Sequence, residues 1–446
     1  MTQMPNDSHP MDTENRTHIR APWLVFWVAF LVRVLYITLA HTYRIHGQDS
    51  FNFGWEAGRI GEALATGRGY ADPFATTWIP HTGPTAWLPP AYPLLVAAVF
   101  RLFGPYSAFS NWLLLVINSV FSAAVARAVW EIGVRCFGRA TARWSAWIWA
   151  LYPAAMQYAT RWAWETSMTT ALFAWVIVLA LRMRGVSTEG PEGEAGALRT
   201  TFRWGLFGLA WGLIALSNST LLIFLPVCGL WLLMRPREGR RSRVAGNVLL
   251  SAVVFLVCVA PWTYRNWRVF HAWIPLRGNL GAELYMGNGP GSTGFLMSYE
   301  HPHMAPAQLR VYARLGEVQY VAMRGALAKE YIRAHPGHFA YVVFRRMYFF
   351  WAGVPSDQTW AAETLRLVSF EFASLAGLFG LGLALKRRVP AAGLMVWAFV
   401  LLPVPYYLVT VHARFRHPLE PLMCVFGVYL FQSADRRQGG AATELS

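Results

Sequence analysis

Stretches of about 17 to 25 mostly apolar residues, the length a helix needs to cross a bilayer, recur along this chain. They predict about ten transmembrane helices, at 22–41, 107–131, 143–160, 165–182, 204–218, 220–234, 244–261, 364–385, 391–409 and 416–433. The fifth and sixth are short and joined only by the tetrapeptide SNST. Two longer segments, 42–106 and 262–363, interrupt the series. In the first, Gly54, Gly58, Gly61 and Ala65 stand at offsets of 0, 4, 7 and 11, which is one face of a helix. The helix carrying it would lie along the outer membrane surface, with that face packed closely on the bundle. Further on, WLPPAYPLLVAAVFRLFG is too short for a span and reads as a second interfacial helix, with Pro89 and Pro90 at its start, where proline is tolerated.

Composition agrees with this pattern and removes one class of function. With 55% hydrophobic and 14% charged residues among 446, the chain is too apolar for a soluble protein. Its formal charge of +16 could suggest nucleic acid, but the basic residues sit mostly in short connections (RCFGRATAR, RMRG, RPREGRRSR, KRR). That is the footprint of membrane topology, and a nucleic-acid partner is excluded. These connections alternate with others nearly free of positive charge, so the basic ones belong on the cytoplasmic side. The tails 1–21 and 434–446 then lie inside, and 42–106 and 262–363 lie outside. The segment before Ala21 is polar, and the apolar stretch after it lacks a clean cleavage site, which predicts an uncleaved first span. Cys136, Cys228, Cys258 and Cys424 lie in or beside predicted spans and imply no disulfide framework. GVSTEGPEGEAGALR reads as a flexible cytoplasmic loop.

With the sides assigned, Asp49, Arg161, Glu165, Arg265, Arg414 and Arg416 all fall at the outer face. Ionisable groups at membrane depth cost several kcal/mol unless paired or hydrated, so a set at one level marks a candidate site. Carboxylates can take a proton from a hydroxyl, while guanidinium groups hold a phosphate and stabilise charge as it leaves. That combination suits glycosyl transfer from a lipid phosphate. Each residue also has a plainer reading. Asp49 precedes a helical run as an N-cap would. Glu56 has Arg59 three positions on as a surface partner. Arg33 can snorkel or pair within the bundle, and Arg265 sits among Trp262, Tyr264 and Trp267 as an interfacial anchor would. Of Arg414 and Arg416, the second is preferred for phosphate. His301 and His303 make a weak metal pair without a third ligand.

The pattern Asp49, Phe53, Ala57, followed by GRGY and TAWLPPAYPLLVAAVFRLFG, resembles the first outer loop of GT-C membrane glycosyltransferases. The resemblance is to bacterial members of the protein O-mannosyltransferase and lipid A aminoarabinose transferase type. LYPAAMQYATRWAWET, PWTYRNWRVF, NLGAELYMGNGPGSTG and ARFRHPLEPL extend it over most of the chain. It implies an all-α polytopic fold, a GT-C type bundle with two long outer-face segments containing interfacial helices. It also implies inverting transfer from a polyprenyl-phosphate sugar to a lipid, glycan or protein acceptor, at the outer face of the inner (plasma) membrane. Asp49 matches the catalytic aspartate and Glu165 an acidic residue at the start of the fourth span, with Arg265, Arg416 and Arg161 expected at the donor phosphate. Ser50 stands where many relatives carry a second acid, and an Arg-Pro pair expected near SNST is missing. No cofactor is called for, and a divalent cation is left open. The rival class is a transporter or flippase for a lipid-linked or anionic solute. Against it, the polar residues sit at one face and not at the midplane, and the chain shows no internal repeat.

Overall fold

The computed structural model describes residues 11–45, 51–53, 55–188, 190, 196–234, 241–355 and 360–443. Among them the architecture is helical, with one isolated antiparallel bridge between Ala71 and Pro84. Helix α1 is Met11–Leu39, and the first long segment holds α2 (Glu56–Ala65) and α3 (Ala91–Phe103). The bundle continues with α4 (Ala108–Cys136), α5 (Arg139–Leu151), α6 (Pro153–Thr160), α7 (Thr166–Met183), α8 (Ala197–Ser217), α9 (Leu225–Leu233) and α10 (Arg241–Phe270). The second segment carries α11 (Leu280–Asn288), α12 (Pro306–Leu315), α13 (Glu317–Ala334) and α14 (Pro336–Ala352). It is followed by α15 (Trp360–Lys386), α16 (Ala392–Leu401), α17 (Val404–Leu408) and α18 (Glu420–Thr443).

Among the described residues, five helical stretches are long and apolar enough to cross a membrane: Ala21–Leu39, Ala108–Cys136, Thr166–Met183, Arg243–Phe270 and Thr364–Lys386. The other five expected spans fall on α5–α6, α8, a 3-10 turn with α9, α16–α17, and the start of α18, which lie outside that set. Two of these are visibly broken, and the break between α5 and α6 has a clear cause. Pro153 has no N–H to give the Trp149 carbonyl, and the last carbonyls of a helix need partners from elsewhere. Arg33, fully buried in α1, is one of them: it donates to Ala150 O at 2.7 Å and, beside the Tyr152 N–H at 3.2 Å, to Trp149 O at 3.4 Å, while its Nε donates to Ser122 Oγ of α4 at 3.1 Å. Arg33 therefore pairs within the bundle.

Lipid offers apolar helices no hydrophobic reason to associate, so close packing at small residues does that work. A Cβ placed on Gly212 of α8 would stand 2.6 Å from Cys258 Cβ in α10, and one on Gly61 of α2 would stand 2.5 Å from Val96 Cγ1 in α3. Where the sequence suggested packing on the bundle, Gly61 of α2 packs against α3, the other helix of its own segment, and Gly58 faces Phe53 and Tyr106. The bundle core gathers Val125, Val129, Phe173, Ile177, Trp211, Phe399 and Phe426. A separate core joins Phe74 and Trp87 of the first long segment to Met286, Leu309, Tyr312 and Tyr320 of the second. The same junction is polar at its centre. Glu317, at the start of α13, accepts from Thr85 Oγ1 (2.5 Å), the Ala86 N–H (2.6 Å) and Tyr312 OH (2.8 Å). Burial raises its pKa despite these bonds.

Candidate functional site

A cavity of about 390 Å³ opens where the two long segments meet the bundle. The first segment lends it Phe51, Trp55 and Glu56, the approach to α7 lends Trp164 and Glu165, and the second segment lends Arg277, Asn279, Glu283 and His301. Thr410, His412, Arg414 and Phe415 close it from the stretch before α18. Ser217 to Thr220, the SNST break, also lines it. There α8 ends because Asn218 turns extended and caps the following 3-10 turn, its Oδ1 accepting the Thr220 N–H at 3.2 Å. The polar break is thereby turned toward the cavity.

Three carboxylates on the wall each face a basic side chain. Glu165 Oε1 lies 3.3 Å from Arg414 Nη1, and the Arg414 guanidinium lies 3.8 Å over the Trp164 ring. That pairing is a single long contact, well outside the 2.7–2.9 Å range of strong charge-assisted hydrogen bonds. Arg414 Nε is buried and has no hydrogen-bond partner among the described residues. Glu283 Oε1 faces Arg277 Nη2 at 3.3 Å and accepts from Asn279 Nδ2 at 3.0 Å. Glu56 Oε1 lies 3.2 Å from His301 Nε2. Burial works against the Glu56 charge, but the hydrogen bond from His301 leads the contributions that outweigh it and hold the pKa below the ordinary carboxylate value. His412 is kept neutral: burial first, then the charges of Arg414 and Arg366, lower its pKa to about 3. The Thr410 hydroxyl is buried without a hydrogen-bond partner among the described residues. Buried polar groups are ordinarily satisfied, so such an orphan on a cavity wall leaves room for a ligand oxygen.

The residues expected from sequence divide. Asp49 lies outside the described residues. Glu165 stands on the cavity wall. Arg161 lies on an exposed edge, donating to Tyr36 OH at 2.7 and 3.3 Å. Arg265 is absent from the cavity lining, and its donors go to protein: Tyr70 O and Thr85 O at 2.7 Å each, and Asn266 Oδ1 at 3.0 Å. It ties α10 to the first long segment. Arg416 is fully buried, bonded to Glu420 Oε1 at 2.9 and 3.2 Å, Ser374 Oγ at 2.5 Å and Phe370 O at 2.9 Å. The structure thus places Arg416 in the core and Arg414 on the cavity wall. Residues 413–419 form a 3-10 helix, in which a two-residue step swings a side chain by about 240°. One arginine faces the cavity and the other the core.

Glu56 is corrected as well. Arg59 turns away to Ala75 O (2.8 Å) and Trp55 O (2.9 Å), and the partner of Glu56 is His301. The HPH stretch accordingly has a role at the wall, and among the described residues no three His, Cys, Asp or Glu side chains converge as a metal site would require. Sequence reasoning passed over Arg277, Glu283 and His412. Asn279 and Glu283 did carry a signal, a four-residue step inside the motif NLGAELYMGNGPGSTG.

No family model and no curated protein matches the sequence. Solved structures do. The oligosaccharyltransferase of Archaeoglobus fulgidus in its apo form matches with a TM-score of 0.51 at 14% identity, over 95% of this chain and 52% of that one. The same enzyme tethered to an acceptor peptide gives 0.53 at 14%, over 93% and 50%. ArnT from Cupriavidus metallidurans bound to undecaprenyl phosphate gives 0.39 at 15% identity, over 92% and 77%. The chain spans about half the length of the archaeal enzyme. The fold is similar to that of the archaeal oligosaccharyltransferase.

Proposed function

From this fold and this cavity, we propose that the protein is a membrane glycosyltransferase of the GT-C type. It moves a sugar from a polyprenyl-phosphate donor to a hydroxyl on a lipid, glycan or protein, with inversion at the anomeric carbon, at the outer face of the cytoplasmic membrane. The observation that carries this reading is Arg414, a guanidinium on the cavity wall with an orphaned Nε, a loose pairing to Glu165 and an aromatic ring beneath it. A phosphate oxygen would satisfy Nε where protein does not, and Arg277 brings a second guanidinium to the same cavity. Neutral His412 adds no charge there.

Asp49 takes the proton of the acceptor hydroxyl as its oxygen attacks the anomeric carbon. The bond from that carbon to the phosphate oxygen breaks, and its electron pair leaves on the prenyl phosphate. Arg414 and Arg277 stabilise the charge that develops there. Glu165 releases Arg414 to the phosphate and keeps it aimed. Arg265 and Arg416 hold the framework, and Arg161 flanks it.

The test is direct. Purified protein is mixed with a radiolabelled prenyl-phosphate hexose and an extract of envelope lipids, glycans and proteins that supplies the acceptor hydroxyl, and transfer of label out of the donor is followed. Asp49→Asn should bind the donor about as tightly as wild type and lose turnover, because the amide keeps shape and capping ability while removing the base. A variant that still turns over returns Asp49 to a capping role. A wild-type protein that moves the donor across vesicle membranes without cleaving it is a transporter.

A further inference from the structure

Of the three pairs on the cavity wall, Glu165–Arg414 and Glu283–Arg277 carry guanidinium groups suited to phosphate. Glu56–His301 is different in kind. His301 Nδ1 accepts the His303 backbone N–H at 3.2 Å, so the ring proton sits on Nε2, aimed at Glu56 Oε1 3.2 Å away. The imidazole cannot turn: it is buried, with Phe74 and Trp87 edge-on at 5.4 and 5.9 Å and Trp55 at 5.7 Å. A caged donor on one carboxylate oxygen fixes the direction of the other.

Beside Glu56, Trp55 presents its indole to the same cavity. Its φ of +38° is one that L residues rarely adopt, and it is held there with the ring 5.0 Å from His303 and 5.3 Å from Phe51. The wall at this corner therefore combines a flat apolar face with a charged group that only accepts hydrogen bonds. The complementary molecule has hydroxyls at its edge and a CH face, as a sugar ring does. A serine or threonine side chain offers one hydroxyl and no such face.

Resting on the transferase reading, we propose that Trp55, Glu56 and His301 form the acceptor subsite, and that the accepting hydroxyl is carried by a sugar. Glu56 accepts a hydrogen bond from a ring hydroxyl of the acceptor and Trp55 covers its CH face. His301 is a positioning residue that acts through Glu56.

Detergent-purified protein is titrated by saturation-transfer NMR with a set of methyl hexopyranosides, with an acetylated serine–threonine peptide, and separately with a short prenyl phosphate. Wild type should bind at least one glycoside and prenyl phosphate, and not the peptide. Glu56→Gln should weaken glycoside binding about tenfold or more, the scale of one hydrogen bond to a charged group, and Trp55→Leu, which removes the flat face, should weaken it as well. Prenyl-phosphate binding, which a merely misfolded variant would also lose, should survive in both. His301→Gln, which keeps a donor at the right reach, should rescue more glycoside binding than His301→Ala. Peptide binding without glycoside binding, no glycoside binding at all, or unchanged binding in both Glu56→Gln and Trp55→Leu overturns the subsite and leaves the transferase reading standing. Failure of wild type to bind prenyl phosphate removes that reading, and this proposal with it.

Discussion

Arg414 and Arg416 stand two positions apart in one motif and differ in everything around them. Lysine keeps a charge but lacks the planar fork that matches two phosphate oxygens. Arg414→Lys should therefore raise the donor KM about tenfold, about 1.4 kcal/mol, with little change in melting temperature. At 416 lysine keeps the charge but cannot reach Glu420, Ser374 and Phe370 O together as the guanidinium does, and a buried group left unsatisfied costs about 1–3 kcal/mol, so Arg416→Lys should instead lower stability while the folded fraction keeps a near-normal KM. Kinetics and thermal melts on the same preparations distinguish the two, and the opposite pattern returns the phosphate to Arg416. His412 gives a pH signature. Its unfolded-state pKa lies near the ordinary 6.5 and its folded-state pKa near 3. Between these values the unfolded chain binds more protons, so stability rises with pH through the window and is lost as pH falls from 6.5 toward 3. Glu56, with a lowered pKa, acts in the same sense: its contribution is present above the unfolded carboxylate value and is lost as pH falls through the folded one. His412→Gln should flatten the fall of melting temperature between about pH 6 and pH 4, and curves parallel to wild type would refute the buried neutral imidazole. At this scale the sequence was least legible. Residue types and the side of the membrane could be read, but Glu56 pairs with a histidine in the other long segment, and no local pattern announces that.

At the scale of elements, α2 and α3 were readable because their signals are local: a small-residue face on one, prolines at the entry of the other. What the α2 face packs against was not local, and it is α3. A methyl on Gly61 meets Val96, a branched side chain with nowhere to swing. Gly61→Ala should cost about 1–3 kcal/mol, as overpacking does. The double variant Gly61→Ala, Val96→Ala removes the 2.5 Å contact but keeps the Val96 Cβ 2.9 Å away, so it should recover only part of the loss, and strictly additive losses in a double-mutant cycle would show that the helices do not touch there. The break at Pro153 was the harder element to foresee. An apolar run reads alike whether one helix or two pass through it, and one group that satisfies the freed carbonyls, Arg33, comes from α1.

At the scale of the molecule, the two long segments act as one layer. Arg265 fastens the first to α10, Glu317 fastens the second to the first, and a shared aromatic core fills the space between. Carboxylates and guanidiniums from sequence-distant stretches thereby reach one cavity, and of the six charged residues expected at one face Glu165 and Arg414 are the two that line it among the described residues. The charge bias of the short connections makes a prediction about which face that is. Single cysteines, placed in a version lacking Cys136, Cys228, Cys258 and Cys424, should react with an impermeant thiol reagent in intact cells when they lie in α13, and not when they lie in 235–243. Because Glu317 and Arg265 bind the segments to each other, a cysteine on the exposed side of α2 must label with α13. If 235–243 labels and α13 does not, the cavity faces the cytoplasm and the proposed donor must present its sugar there. If α2 and α13 label from opposite sides, the layer itself is wrong, and with it the meeting of Glu56 and His301 on one wall.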